Sequence, residues 1–519
     1  NSLISRFKLD NSFPTTQNIK NQISDYKKLV FDYKNADSVI LKPNKKDIEK
    51  KIDNLKATFR LTLKDSKTKK ELEKAIKTHT ALYGLVALEG ESLFMGLDCG
   101  ISDNFIGSNL SESEKREAFA SAANINFLRH KLDSNGNGYK NAFEWRFEFP
   151  EVLDENGDFI GFDLVIGNPP YGVDLSADDR QKYKSIYNLI STNTAQLFIL
   201  FADKIASQNG INTFIVPKSL AYVAQWKPLR DFLQPNLFLL TDCGKAWSYV
   251  LLEMVIYAVH KNHKYESYTN TFLPPLNQPI KERDLGIVID KNLISLFGLF
   301  VNGLNQKEID LGVKIHNAGE MMGKYCKNSR GVTFQKHLIE RGKYGFIGGK
   351  EIDKYHIKQY KGFLKSVKNI PNNAIIKENA LLAQNIVTEN RIITMLPQKQ
   401  KAYLLDTINQ LVFTELDSRF AWALLNSKLI NFYIARFIFS KAKMTMHFDA
   451  PATDKIPLPK LNAKSQKITN EIINLVDKIL ESKAKDSQNS TTLLESKIDD
   501  LIYQLYALDS HEIKIVQST

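Results

Sequence analysis

The sequence predicts an α/β protein, an open sheet with helices packed on it, followed by a mixed second unit and terminal helices. Three stretches carry this reading. The first is the apolar run FDLVI at 162–166, ended by a Gly and two prolines, as at the carboxyl end of a buried parallel strand. The second is a helical pattern at 194–208 (TAQLFILFADKIASQ), an Asn209-Gly210 stop, and the buried strand INTFIVPKSL. The third is a strand pair, LFLLTDCGKAW then VLLEMVIYAVHK, which completes the sheet.

The end of the FDLVI strand is where an open α/β sheet places its ligands. The turn there reads Gly167-Asn168-Pro169-Pro170-Tyr171. Two prolines fix φ and remove two N–H groups, so carbonyls are the polar equipment of this turn. Asn168 adds an amide oxygen and Tyr171 a flat aromatic face. Together they can accept hydrogen bonds from an NH2 group and stack on a planar ring. A rigid structural turn would explain Pro-Pro alone, but not the whole run.

FDLVIGNPPY resembles the Asn-Pro-Pro-Tyr motif of the amino-group methyltransferases that act on adenine N6 in DNA. The resemblance implies that Asn168 and the Pro169 carbonyl accept the two amino hydrogens. It implies that Tyr171 stacks on an adenine taken out of the duplex, that Pro170 lies near the cofactor, and that the cofactor is S-adenosylmethionine. Asn1-Ser2-Leu3 resembles a turn that contacts the cofactor's adenine in larger relatives, which makes Asn1 a second cofactor candidate; a chain terminus without fixed structure explains these three residues as well. Relatives place another aromatic in the loop of the last hairpin to sandwich the base. Trp247 and Tyr249 are the candidates, with a core role as the competing reading for each.

At 519 residues the chain is too long for one core. Hydrophobic residues make up 43% and charged ones 25%, an ordinary globular balance. The net charge of +12 suits a polyanionic partner, although solubility alone could explain it. Cys99, Cys243 and Cys326 form no CxxC pair, which argues against a disulfide framework or a zinc site and fits a cytoplasmic protein without a bound metal. No apolar run is long enough for a membrane span.

In order along the chain, residues 15–82 read as a helical insertion. Ile48, Ile52, Leu55 and Phe59 share one apolar face, with Asp47 near the helix start and Pro43 upstream. Residues 83–130 carry glycines, but Asp98-Cys99-Gly100 lacks the second glycine of a cofactor loop. Trp145 to Phe149 reads as an aromatic strand before an Asn-Gly turn at 156–157. The polar stretch 176–195 reads as a loop over the target base. A polar segment with three prolines puts a linker at 266–285.

Residues 286–460 read as an α+β unit with strands in RGKYGFIGGKEIDKYHI and LLDTINQLVFTE and one long helix in AWALLNSKLINFYIARFIF. FIGGKEIDKY, WALLNSKLINFYI and KIPLPKL resemble the target-recognition domain of type IIG restriction–modification enzymes. Basic and aromatic residues interleave there at Arg330, Lys350, Lys354, Tyr355, Arg436, Lys441 and Lys443, the candidates for double-stranded DNA contacts. Residues 461–519 read as a helical hairpin with an apolar stripe of Ile498, Leu501, Ile502, Leu505 and Leu508.

The resemblance therefore implies a partial Rossmann-like methyltransferase sheet over 1–265 with its helical insertion, a recognition domain, and carboxyl-terminal helices. It starts partway into the catalytic domain, because no glycine-rich cofactor loop is found in residues 1–160. The expectation is the carboxyl-terminal portion of a type IIG enzyme, with its cofactor half and a nuclease domain upstream, and weak cofactor binding by this portion alone. Two alternatives stand beside adenine methylation: a non-catalytic DNA-specificity fragment, and a methyltransferase for a protein glutamine amide, again a planar NH2. Steep salt dependence of duplex affinity separates the DNA readings from the protein one.

Overall fold

The computed structural model describes residues 17–35, 43–62, 66–83, 143, 145–172, 177–187, 193–247, 252–273 and 286–518, apart from 367–369, 388–391, 398–401 and 444–445. Positions 111, 114, 117–118, 120–125, 128 and 175 are also described. Contacts divide the chain into one unit of 1–163 with 200–208, and another of 164–199 with 209–519.

In the first unit the amphipathic pattern of 15–82 forms three helices, α1 (Gln17–Asn35), α2 (Lys45–Thr62) and α3 (Ser66–Tyr83). Asn44 starts α2, its side chain accepting from the Lys46 N–H at 3.0 Å, so the cap lies three residues before Asp47. Ile23, Tyr26 and Val30 of α1 bury themselves with Leu153, and Ile48, Ile52 and Phe159 pack against them. The side chains of Leu55 and Phe59 lie outside the described residues.

The aromatic segment is helical, not a strand: Trp145–Glu148 forms one turn and Pro150 opens a second, tighter one. Helical spacing brings Trp145 and Phe149 onto one face, rings stacked at 5.6 Å. Phe162 then packs edge-on to Phe149 at 5.2 Å. Pro150 has no N–H for a ladder, which removes the strand alternative. The Asn156-Gly157 turn forms as expected, with Gly157 at φ +83° and Leu153 bridged to Phe159. Gly161 takes φ +87°, and a Cβ there would lie 2.5 Å from the Ser207 nitrogen, so only glycine admits the chain into the motif strand.

The motif strand β1 (Phe162–Gly167) is the edge of a six-stranded sheet ordered β1-β2-β4-β3-β5-β6. The polar stretch before the next helix is not a loop. It forms α4 (Ala177–Tyr187), which buries Tyr183 and Tyr187 one turn apart. Helix α5 (Thr194–Ile205) leads directly into β2 (Ala206–Pro217). Asn209-Gly210 thus lies inside a strand: the Gly210 carbonyl accepts from Lys261, extending the ladder with β4 (Met254–His260). Strand pairing outweighs the turn preference of that dipeptide.

β3 (Leu237–Gly244) and β4 form the expected antiparallel pair. The sheet does not end there. β5 (Ser267–Phe272) pairs parallel to β3, and β6 (Ile287–Asp290) pairs antiparallel to β5. The linker expected at 266–285 is corrected accordingly: 267–272 and 287–290 are sheet strands on either side of a segment, 274–285, outside the described residues. Alternation explains it, since Tyr268 and Asn270 bury themselves between half-exposed neighbours.

Beyond the sheet, α6 (Gln306–His316) begins with a capping box between Asn305 and Glu308. β7 (Cys326–Arg330) then joins a sheet ordered β12-β10-β14-β7, with β10 (Ala380–Gln384), β12 (Thr394–Met395) and β14 (Ile408–Phe413). A smaller sheet orders β13-β8-β9, from β8 (Tyr344–Ile347), β9 (Gly362–Leu364) and β13 (Tyr403–Leu404). Ile347, Leu382, Met395, Leu404 and Ile408 form one core and Phe346 with Leu405 another. β11 (Ile386–Val387) pairs with β15 (Met446–His447).

The single long helix expected at 421–439 is broken. α7 (Ser418–Asn426) stops at Ser427, which is extended and caps α8 (Lys428–Tyr433), accepting from Ile430 at 3.2 Å. A π-helical turn, Ile434–Ile438, follows. The terminal pair forms as α9 (Ala463–Lys485) and α10 (Thr492–Leu505), with Ile498, Leu501 and Ile502 buried, and a third helix, α11 (Ser510–Gln517), is added after an Asp509 capping box.

Candidate active site and nucleic-acid interface

The Asn-Pro-Pro-Tyr turn sits at the carboxyl end of β1. Asn168 and Pro170 are exposed, Pro169 is buried and Tyr171 is half-buried. The Pro170 carbonyl accepts a hydrogen bond from the Thr194 hydroxyl at 2.5 Å. Thr194 is itself buried, at the first turn of α5, where Asn193 accepts from the Ala195 N–H at 3.0 Å. In contrast, the Asn168 amide and the Pro169 carbonyl receive no hydrogen bond from any described residue. One helix start therefore braces the loop through its last carbonyl and leaves two adjacent acceptors open. Thr194 was passed over in the sequence, although Thr-Asn-Thr before an apolar run is a helix-start signal.

Trp247 lies half-exposed in the β3–β4 connection; Tyr249 and Asn1 lie outside the described residues. Beside that connection is a buried polar network. Lys218, at the end of β2, donates to Asp242 Oδ2 at 2.8 Å and lies 3.8 Å from Glu253. Asn302 donates to the same Asp242 oxygen at 3.0 Å, and Asn270 donates to Asn302 at 2.7 Å. Lys218 also points at the Lys441 carbonyl, 3.4 Å away, and the Lys443 N–H donates to Glu253 at 2.7 Å. Cys243 and Cys326 are free thiols, and burial pushes each up to about 12, so neither is a ready nucleophile.

The seven residues proposed from sequence for DNA contact separate in the structure. Arg436 is corrected outright: it is buried, donates to Glu308 Oε1 at 2.8 Å and cannot meet a phosphate. Lys441 is committed to the Gly303 carbonyl at 2.7 Å, and burial, against the pull of Glu308, lowers its ammonium below the usual range. Lys354 pairs with Glu495 at 2.6 Å while lying over the Tyr355 and Trp422 rings, and the Tyr355 hydroxyl binds the same glutamate. These four hold the fold. Lys350 and Lys443 are exposed, and Arg330 is 44% exposed against Asp449. Periodic basic and aromatic residues mark either role, and one sequence does not separate them.

Among the described residues no cluster of His, Cys, Asp and Glu could hold a metal, and no helix is long and apolar enough to cross a membrane.

Residues 19–241 match the family model of the Eco57I restriction-modification methylase, and residues 344–458 that of the TaqI-like C-terminal specificity domain. The chain carries one region similar to the restriction–modification methylases and a second similar to a specificity domain. A protein of Methanocaldococcus jannaschii named as a type II restriction enzyme and methyltransferase is 23% identical over 403 residues, 71% of this chain and 32% of that protein. The chain thus spans about a third of that relative's length. Among solved structures, the type IIG restriction endonuclease BpuSI is 11% identical, covering 75% of this chain and 62% of that one at a TM-score of 0.29. The nuclease-deletion mutant of the Type ISP restriction-modification enzyme LlaGI is 11% identical, covering 75% and 39%, at 0.36. The β1 turn lies in the Eco57I-type region, and β8 to β15 in the TaqI-like region.

Proposed function

We propose that the chain is the target-base half of a DNA methyltransferase specific for adenine N6. The observation that carries this reading is the pair of open acceptors on Asn168 and Pro169 beside a braced third carbonyl. An adenine amino group has two hydrogens to give, and two adjacent acceptors match it. Accepting both concentrates the nitrogen lone pair away from the ring. Tyr171, half-buried beside them, offers the face on which the flipped base stacks. Positioning and lone-pair activation are the catalysis this arrangement can supply.

The residues present fit the acceptor side of a site for S-adenosylmethionine, which when bound supplies the electrophilic methyl group. Pro170, exposed at the same strand end, would line that side. The TaqI-like region favours DNA over a protein amide as substrate, and duplex recognition is assigned to it. An upstream segment is the proposed source of the remaining cofactor contacts.

The test is transfer of labelled methyl to duplex DNA by the full chain, with S-adenosylmethionine raised to saturation to offset the missing cofactor contacts, followed by digestion to nucleosides. Label is expected on adenine N6. Asn168→Ala should lower transfer by at least about a hundredfold while duplex affinity is retained. Undiminished transfer by that variant, or label on cytosine, refutes the assignment.

A further inference from the structure

A polar cluster outside the Eco57I-type region, at β7, β14 and β15, is wired through two buried asparagines. Asn409, fully buried, uses both amide hydrogens, on the Phe448 carbonyl at 2.7 Å and on Asp449 Oδ1 at 3.2 Å. Its oxygen therefore faces Asn385, whose own NH2 donates to it at 2.8 Å and to Asp449 Oδ1 at 2.7 Å. The Asn385 oxygen is left as an acceptor, and His447 Nδ1 lies 3.0 Å from it. Arg330 Nη2 also approaches Nδ1, at 3.4 Å, and could donate only to a bare nitrogen; the shorter contact, to an oxygen that can only accept, assigns the ring proton to Nδ1, and in the neutral imidazole Nε2 is then an acceptor. His447 is exposed, and Nε2 has no partner among the described residues.

Arg330 is fixed by the same carboxylate. Its Nε donates to Asp449 Oδ1 at 2.8 Å and its Nη2 to Oδ2, which leaves Nη1 with both hydrogens unspent. Burial works against the Asp449 charge, but the hydrogen bonds from Arg330, Asn409 and Asn385 outweigh it and hold the carboxyl below its usual range. A fixed outward donor set thus stands beside a fixed outward acceptor, 3.4 Å separating Arg330 Nη2 from His447 Nδ1. Two asparagines are buried to hold them, more than solubility requires. Major-groove base edges present the complements: two acceptors on guanine, and an amino donor on adenine or cytosine.

We propose that Arg330 and His447 are a base-reading pair, Arg330 taking the guanine O6/N7 edge and His447 Nε2 accepting from the amino group of a neighbouring adenine or cytosine. This rests on the reading of the chain as a DNA-binding methylase.

The experiment selects from a randomised duplex library with the full chain, wild type, Arg330→Lys and His447→Ala, and measures affinity for unrelated duplex and thermal melting alongside. Wild type should enrich a sequence with a guanine beside an adenine or cytosine. Arg330→Lys should lose the guanine preference, and His447→Ala the amino-base preference, each by about tenfold or more. The melting temperature should not fall, and affinity for unrelated duplex should stay within about twofold of wild type. If both variants enrich the wild-type sequence, the pair is not the reader, although DNA binding stands. If both lose all duplexes equally with lowered melting, the cluster is structural and the proposal fails. If wild type retains no duplex, the DNA-binding reading itself fails and takes this one with it.

Discussion

Replacing Glu308 by Gln tests how the charges Arg436 and Lys441 of the TaqI-like region are held. One Glu308 oxygen accepts from the Asn305 N–H at 3.0 Å; the other faces Arg436 at 2.8 Å and Lys441 at 3.5 Å. Gln can keep the first bond only by turning its NH2 toward the two cations. Arg436, 8% exposed, is then left without its counter-charge. Breaking a buried pair in this way costs about 3–5 kcal/mol. Lys441 keeps the Gly303 carbonyl, which favours the lower end, so we expect about 3 kcal/mol, a factor of roughly 150 in the folded ratio. Urea unfolding followed by tryptophan fluorescence measures it. In an Arg436→Met background the same change should cost less than about 1 kcal/mol, because the stranded charge is gone. Equal costs in both backgrounds would refute the argument. The pH dependence agrees in sign. Burial raises the Glu308 carboxyl, but the Asn305 bond, Lys441 and Arg436 together bring it below its usual range. Its contribution is complete above the ordinary carboxyl range and fades as pH falls through the depressed value; Glu308→Gln should flatten that fall.

Asp499 makes the opposite prediction. Burial lifts its carboxyl despite the Lys428 N–H bond at 2.9 Å. A raised acid stabilises the fold only while protonated, so Asp499→Asn should be more stable than wild type at pH 7. The advantage should close as pH falls toward the ordinary aspartate value; a pH series of melting curves decides. Trp422→Phe removes the indole N–H that meets the Thr394 carbonyl at 3.1 Å in a fully buried site. It should cost about 2 kcal/mol, and a loss below a few tenths in urea unfolding would mean the site collapses around the smaller ring.

What was legible in the sequence was whatever a short window encodes. The FDLVI strand and its turn, the amphipathic helices of 17–83 and the terminal helices follow from local periodicity and composition; the burial expected of that strand does not hold, because β1 is a sheet edge with Leu164 and Ile166 exposed. The errors share a physical cause, long-range pairing that overrides local preference. Asn209-Gly210 has turn chemistry, yet the β4 ladder keeps it extended. Ser267–Phe272 is polar enough to read as linker, yet its alternate residues Tyr268 and Asn270 are buried against partners at Val301 and Leu240. The site divides the same way. Asn168 to Tyr171 announce themselves as four contiguous residues. The Arg330–Asp449–Asn385–His447 cluster gathers residues from three places in the chain, its contacts spanning 62 to 119 positions, and nothing local marks His-Phe-Asp as special.

The network around Lys218 ties together chain on both sides of 274–285. Lys218 and Glu253 precede the proline-bearing segment 274–285 in the chain, and the Lys441 and Lys443 backbones they bind follow it. The β5–β6 pairing also spans that segment. A break or exchange of chain at 274–285 would part a lysine from its carbonyl and a strand from its neighbour. A different second half joined there would keep the sheet only by restoring a strand beside β5 and two backbone partners for Lys218 and Glu253.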